Sequence, residues 1–132
     1  MKRELTKAPL AALMGVHGAA SLIHFTHNAT FLVDYPNMPP SLTAAGVYGV
    51  WFAIAAVGLA GYGCFASGRR RTGLALVALF AVLGFGGLDH YVVAPVSAHT
   101  LAMNGTIAIE VLTAALLLAA VTVEFVRSRH RA

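Results

Sequence analysis

Charge is what this sequence has least of. Its 132 residues include nine Lys or Arg and five Asp or Glu, so charged side chains make up 11% of the chain against 58% hydrophobic residues. A soluble domain of this size has much surface for its volume and carries about 25% charged residues to cover it. The charges present are too few for such a shell, which excludes an ordinary soluble globule. The apolar excess excludes a disordered chain. Cysteine is nearly absent as well. Cys64 stands alone, so there is no intramolecular disulfide and no paired-cysteine metal or redox motif; within its apolar run it reads as a small packing residue. The formal net charge is +4, yet no basic stripe interleaved with aromatics is present, so nucleic acid is not an expected partner. HExxH, P-loop, GxSxG and CxxCH motifs are all missing.

What the chain has in plenty is long apolar runs. Mean hydropathy is +0.76. Four runs stand out: residues 8–27, 44–66, 73–92 and 101–126. Each has about 20 or more residues, enough to cross a hydrocarbon core of about 30 Å as a helix. Lipid leaves helices and closed barrels as the available spanning structures, and strands would alternate in polarity. The connections are short: one carries Pro36, Pro39 and Pro40, the next reads SGRRRT, the last VAPVSAHT. Short loops make neighbouring helices run in opposite directions. The expected fold is therefore all-α, a polytopic membrane protein forming an antiparallel four-helix transmembrane bundle, with residues 1–132 as one domain. Glycines such as Gly15, Gly18, Gly58, Gly61, Gly84, Gly86 and Gly87 allow helices to approach closely.

The basic residues set the expected orientation. Lys2, Arg3 and Lys7 precede the first run, Arg69, Arg70 and Arg71 separate the second and third, and Arg127, Arg129 and Arg131 follow the fourth. Neither proline-containing loop has a Lys or Arg. By the positive-inside rule both termini face the cytoplasm of an inner or plasma membrane, and the proline-containing loops face out. The N-terminal run imitates a signal peptide, but its removal would spoil that charge agreement, so it is read as retained. The Ala-, Gly- and Arg-rich composition reads as bacterial. Tyr35, Tyr48, Trp51 and Tyr91 then lie near the outer interface, where an aromatic belt is expected.

The remaining polar residues gather on the outer side. His24, His27 and Asn28 end the first helix, Asp89 and His90 end the third, His99 lies in the second outer loop, Asn104 opens the fourth helix, and Glu110 and His17 lie deeper. His17, His24 and His27 fall close to one helical stripe, and Asn28 shares the face of His24. Met103 and Glu110, seven apart, share a face too. Glu124 sits near the inner end. Asp34, in the proline-rich loop, reads as solvated, and Asn104 as a helix cap.

Ionisable groups inside a membrane are costly and face a bundle interior, where they pair. At similar depth, Glu110 and His17 are expected to pair. Histidines with a carboxylate nearby are the ligand set of Zn, Cu or non-haem Fe. The leading expectation is thus a membrane-embedded metal-binding protein, with a possible oxidoreductase activity on a lipid-soluble or periplasmic molecule. His24, His27, His90 and His99 are the expected metal ligands; Glu110, Asp89 and His17 are the expected acid–base or supporting groups. Two alternatives use the same residues: a b-type haem electron carrier with two axial histidines, and a non-enzymatic accessory subunit or small-molecule binding or transport component. Assembly into an oligomer or a larger complex fits any of these.

Overall fold

The computed structural model describes residues 5–129. Lys2, Arg3, Glu4, His130 and Arg131 lie outside the described residues. The chain is helical, and no strand occurs among the described residues. Helix α1 spans Lys7–Thr30, α2 Ala44–Ala66, α3 Arg70–Leu83, α4 His90–Val93 and α5 Leu101–Arg129, with 3-10 turns at Leu32–Asp34, Gly84–Asp89 and Val96–Ala98. Four stretches are long and apolar enough to cross a membrane: Lys7–Thr30, Ala44–Ala66, Arg70–Val93 and Leu101–Ser128.

Local chemistry explains the ends. Pro9 sits in the first turn of α1, where its missing N–H has no intrahelical partner to lose. Beyond Thr30, Pro36, Pro39 and Pro40 prevent the helix from continuing. Thr43 restarts the chain by accepting the Gly46 amide at 3.1 Å, and Thr100 does the same for the Met103 amide at 3.2 Å. Thr100, not Asn104, is therefore the side chain that caps α5. The α2–α3 turn uses Gly68 at φ 88°, a left-handed conformation that favours glycine.

The third spanning stretch departs from the expected continuous helix over 73–92. It is α-helical to Leu83, tightens to 3-10 through GFGGLD, and resumes as α4. At the change the Gly84 amide turns to the Ala81 and Val82 carbonyls, nearer neighbours than the α-helical partner Phe80. Glycine permits the break, and close packing uses it. A Cβ on Gly84 would collide with the His17 ring and lie 3.0 Å from Ala114 Cβ, and one on Gly87 would lie 3.0 Å from Glu110 Oε2.

Packing follows two heptad-like seams. On α5 the buried residues are Met103, Ile107, Glu110, Ala114, Leu117, Val121 and Glu124, in alternating steps of four and three. On α1 they are Leu10, His17, Ala20, Ser21, His24 and Asn28. Pairings between these seams climb α1 while descending α5: Leu5 with Glu124, His17 with Thr113, Ser21 with Glu110 and His24 with Thr106. Helix α2 packs on α3 through glycines on both sides. Gly58 lies against the Phe80 ring, Gly61 against Val77, and Gly73 against the Phe65 backbone. One half of the interior is an apolar core of Leu10, Phe65, Leu74, Val77, Phe80, Ala81, Leu117 and Val121.

The distribution of polarity is inverted relative to a soluble fold. Phe52, Leu59, Leu112 and Leu116 are each 64–72% exposed, whereas His17 and Glu110 are 0% and 1% exposed. At the far end of the apolar core Glu124 is buried, accepts from the Leu5 amide at 3.1 Å and pairs with Arg70. Arg70 also reaches the Leu5 carbonyl at 3.1 Å and lies 4.9 Å over the Phe65 ring. This clasp ties the starts of α1 and α3 to the end of α5, so the described basic residues near those ends gather at one end of the molecule.

Candidate functional site: a buried imidazole cluster

The polar cluster occupies the opposite end. Helix α1 presents His17, Ser21, His24 and Asn28 in steps of three and four, one face of the helix. Helix α5 presents Thr106, Glu110 and Thr113 with the same spacing. The 3-10 break carries the chain to His90, the VAPVSAHT loop brings His99, and the loop after α1 brings Tyr35. His17, His24, Asn28, His90, His99, Glu110 and Tyr35 are all buried.

Hydrogen bonding gives each ring a defined set of partners. The Thr106 hydroxyl donates to the Met103 carbonyl at 3.0 Å, so its oxygen accepts from His24 Nδ1–H at 3.2 Å. Thr113 donates to the Ile109 and Glu110 carbonyls, each at 2.9 Å, so it accepts from His17 Nδ1–H at 3.1 Å. His99 Nδ1–H donates to the Pro95 carbonyl at 3.0 Å, an acceptor that permits no other assignment. The Asn28 amide nitrogen lies 3.2 Å from His24 Nε2 and 3.1 Å from His90 Nε2. Its two hydrogens thus satisfy two lone pairs, which places the His90 proton on Nδ1 as well. His24 and His90 thus present Nε2 to the Asn28 amide, while His17 and His99 direct Nδ1 to Thr113 and the Pro95 carbonyl. His17 Nε2 and His99 Nε2 are buried without a hydrogen-bond partner, as are Asn28 Oδ1 and Glu110 Oε2.

The rings form a connected array. His24 and His90 centroids are 5.4 Å apart, and His90 and His99 6.0 Å. Tyr35 covers this array, with its ring 4.9 Å from His90 and 6.5 Å from His99. Burial holds the Tyr35 phenol above its usual titration range. Glu110 accepts from Ser21 Oγ at 2.6 Å and puts Oε2 3.7 Å from His24 Nε2. A polar clamp supports the His99 loop: Asn104 donates to the Val96 and His99 carbonyls at 3.2 Å each and accepts from Tyr91 at 2.7 Å.

Of the residues expected from the sequence, His24, His90, His99 and Glu110 are brought together. Three others are placed differently. His27, one residue before Asn28 and off the buried seam, sits half-buried at the edge of the cluster, where it packs on Phe31 and lies 2.8 Å from the Tyr35 hydroxyl. Asp89 is exposed, since the 3-10 turn directs His90 inward and its predecessor outward. His17 pairs with Thr113 and not Glu110, because the α1–α5 register sets Ser21 and His24 beside the carboxylate. Asp34 is exposed, as expected. As the side chains stand, no group of three or more His, Cys, Asp or Glu among the described residues is arranged to hold a metal ion.

Sequence reasoning misses Ser21, Thr106 and Thr113 and reads Tyr35 only as a belt residue, while the close approach expected at Gly84 and Gly87 is found against His17 and Glu110. Filling in the stripe between His17 and His24 finds Ser21, and the stripe through Glu110 finds Thr106. Tyr35 gives no such signal, because its burial depends on a loop folding back over the helix ends. No family model matches this chain, and no curated protein or solved structure matches it.

Proposed function

We propose that this is an integral membrane protein whose four long helices span the bilayer as an antiparallel bundle, and that its imidazole cluster binds a transition-metal cation from the outer side. The apolar exterior around a polar interior supports insertion. The gathering of basic residues at the end opposite the cluster supports cytoplasmic termini and an outward-facing site.

One observation carries the metal reading. His24 and His90 present Nε2 as acceptors to Asn28, and His99, which donates from Nδ1 to the Pro95 carbonyl, keeps a buried Nε2 without a hydrogen-bond partner in the same cluster. That is the state in which a histidine ligates a metal, with its second nitrogen held by an oxygen or left as a donor. The Asn28 amide nitrogen sits between the His24 and His90 lone pairs, where it satisfies both as a cation would. Binding requires this amide to withdraw from between the two rings. Glu110, with one oxygen free, supplies negative charge beside His24.

The test is metal content and metal titration of the protein purified in mild detergent. One transition-metal ion per chain is expected, lost on His90→Ala or His99→Ala and kept on Asp89→Asn. A wild-type protein that folds but takes up no metal refutes the reading. A Soret band after haem-replete expression would refute it in favour of the haem carrier.

A further inference from the structure

A groove of about 580 Å³ opens between the start of α1 and the end of α5, at the end of the molecule opposite the imidazole cluster. Its walls are apolar, with Leu5 and Pro9 on one side and Ala120 and Val123 on the other. None of these four is buried, and Val123 is 47% exposed. Ala120, Val123, Glu124 and Arg127 share one face of α5 over about 10 Å. The charges at the mouth differ in what they have left to bind. Glu124 is engaged by the clasp, one oxygen accepting from the Leu5 amide at 3.1 Å and the other from Arg70. Arg127 is half-buried in the groove wall and has no acidic partner among the described residues. Lys7, exposed in the first turn of α1, has none among them either.

An apolar trough that ends at an uncompensated guanidinium is complementary to a phospholipid. The walls suit an acyl chain, and the guanidinium offers the paired N–H donors that phosphate accepts. A zwitterionic headgroup also brings an amine, which Arg127 and Lys7 repel; an anionic headgroup brings none. A second groove, of about 440 Å³ between α1 and α2, supplies the contrast. Gly15, Gly18, Ala55 and Leu59 are among its lining residues and no charged side chain is, so it offers a chain contact without selection by charge. Resting on the membrane reading above, which puts the basic end at the cytoplasmic face, we infer that the α1–α5 groove binds one anionic phospholipid of the inner leaflet. Its phosphate pairs with Arg127, and an acyl chain lies between Leu5 and Pro9 on α1 and Ala120 and Val123 on α5.

The experiment uses the full chain, delipidated in mild detergent and titrated with phosphatidylglycerol or with phosphatidylcholine of the same acyl chains. Native mass spectrometry counts the lipid retained. One phosphatidylglycerol per chain is expected, held about fivefold or more tightly than phosphatidylcholine. Arg127→Gln is expected to remove that preference. Arg71→Gln, the same loss of charge in the exposed α2–α3 turn, should keep it. Ala120→Leu, which fills the groove, should weaken retention of phosphatidylglycerol, and Ala55→Leu in the α1–α2 groove should not. Equal retention of the two lipids, or a preference that Arg127→Gln keeps or that Arg71→Gln loses equally, overturns the inference and leaves the membrane reading standing. So does a detergent-purified dimer that retains no lipid and dissociates on Ala120→Leu, which would assign the groove to a second copy of the chain. A chain that stays folded and monomeric in water without detergent overturns both.

Discussion

Gly84 and Gly86 lie two residues apart in the same 3-10 segment, yet replacing each by Ala has opposite expected effects. Both have negative φ, so alanine fits either backbone. Both substitutions gain the same benefit from a less flexible unfolded chain, about 0.4–1 kcal/mol. They differ in what the new methyl meets. At Gly86 it enters open space. At Gly84 it collides with the His17 ring and approaches Ala114 Cβ to 3.0 Å. The ring has little room to yield, being held by Thr113 at 3.1 Å and packed edge-on against Phe80 at 4.8 Å between centroids. Forcing a methyl into a well-packed site costs about 1–3 kcal/mol. Because the backbone benefit is common to both, Gly84→Ala should be less stable than Gly86→Ala by about that amount. Equilibrium unfolding by SDS in mixed micelles, followed by tryptophan fluorescence from Trp51, reads the difference. Gly86→Ala should equal or exceed the wild type. Equal stability of the two variants would refute the packing of the 3-10 break against His17.

Two further outcomes concern the ends of the molecule. Glu124→Gln should lower stability in the same assay by about 1–2 kcal/mol: losing one partner of a buried ion pair costs 3–5 kcal/mol, discounted here because Arg70 is a third exposed. It should leave metal binding unchanged, since the clasp lies at the opposite end. Tyr35 gives a pH dependence. Burial raises the phenol's pKa in the fold, so the folded state holds its proton to higher pH than the unfolded state. The Tyr35 contribution to stability should be full below about pH 10 and be lost as pH rises through the unfolded and then the folded value. Tyr35→Phe should remove that fall while losing the 2.8 Å contact to His27; an unchanged alkaline profile would show that another group is responsible.

Much of the architecture was legible before any coordinates. Run lengths and loop lengths anticipated four helices within a few residues of their observed ends. The one local failure, the third stretch, was a matter of context. GFGGLD reads as helix by hydropathy, but glycine tolerates either helix type. The choice fell to contacts with His17 and Glu110 on two other helices. The same division runs through the site. Spacing put His24 and Asn28 on one face and Met103 with Glu110 on another, and both faces are buried. Spacing also put His27 near the stripe of His24, but a residue at the edge of a stripe settles according to what packs there, and His27 lies half-buried against Phe31 and the Tyr35 hydroxyl.

By itself, then, the sequence determined the scarcity of charge, the four apolar runs, the basic clusters and the set of polar residues that must find partners. These follow from composition and period, which are properties of a segment alone. Tertiary structure decided who pairs with whom. The register of α1 on α5 gave Glu110 to Ser21 and His24 and left His17 to Thr113. Loop closure brought His99 and Tyr35 over His90. Those contacts depend on the packing of side chains from distant segments, and hydrogen-bond partners selected in that way set how each imidazole is oriented and which of its nitrogens is engaged.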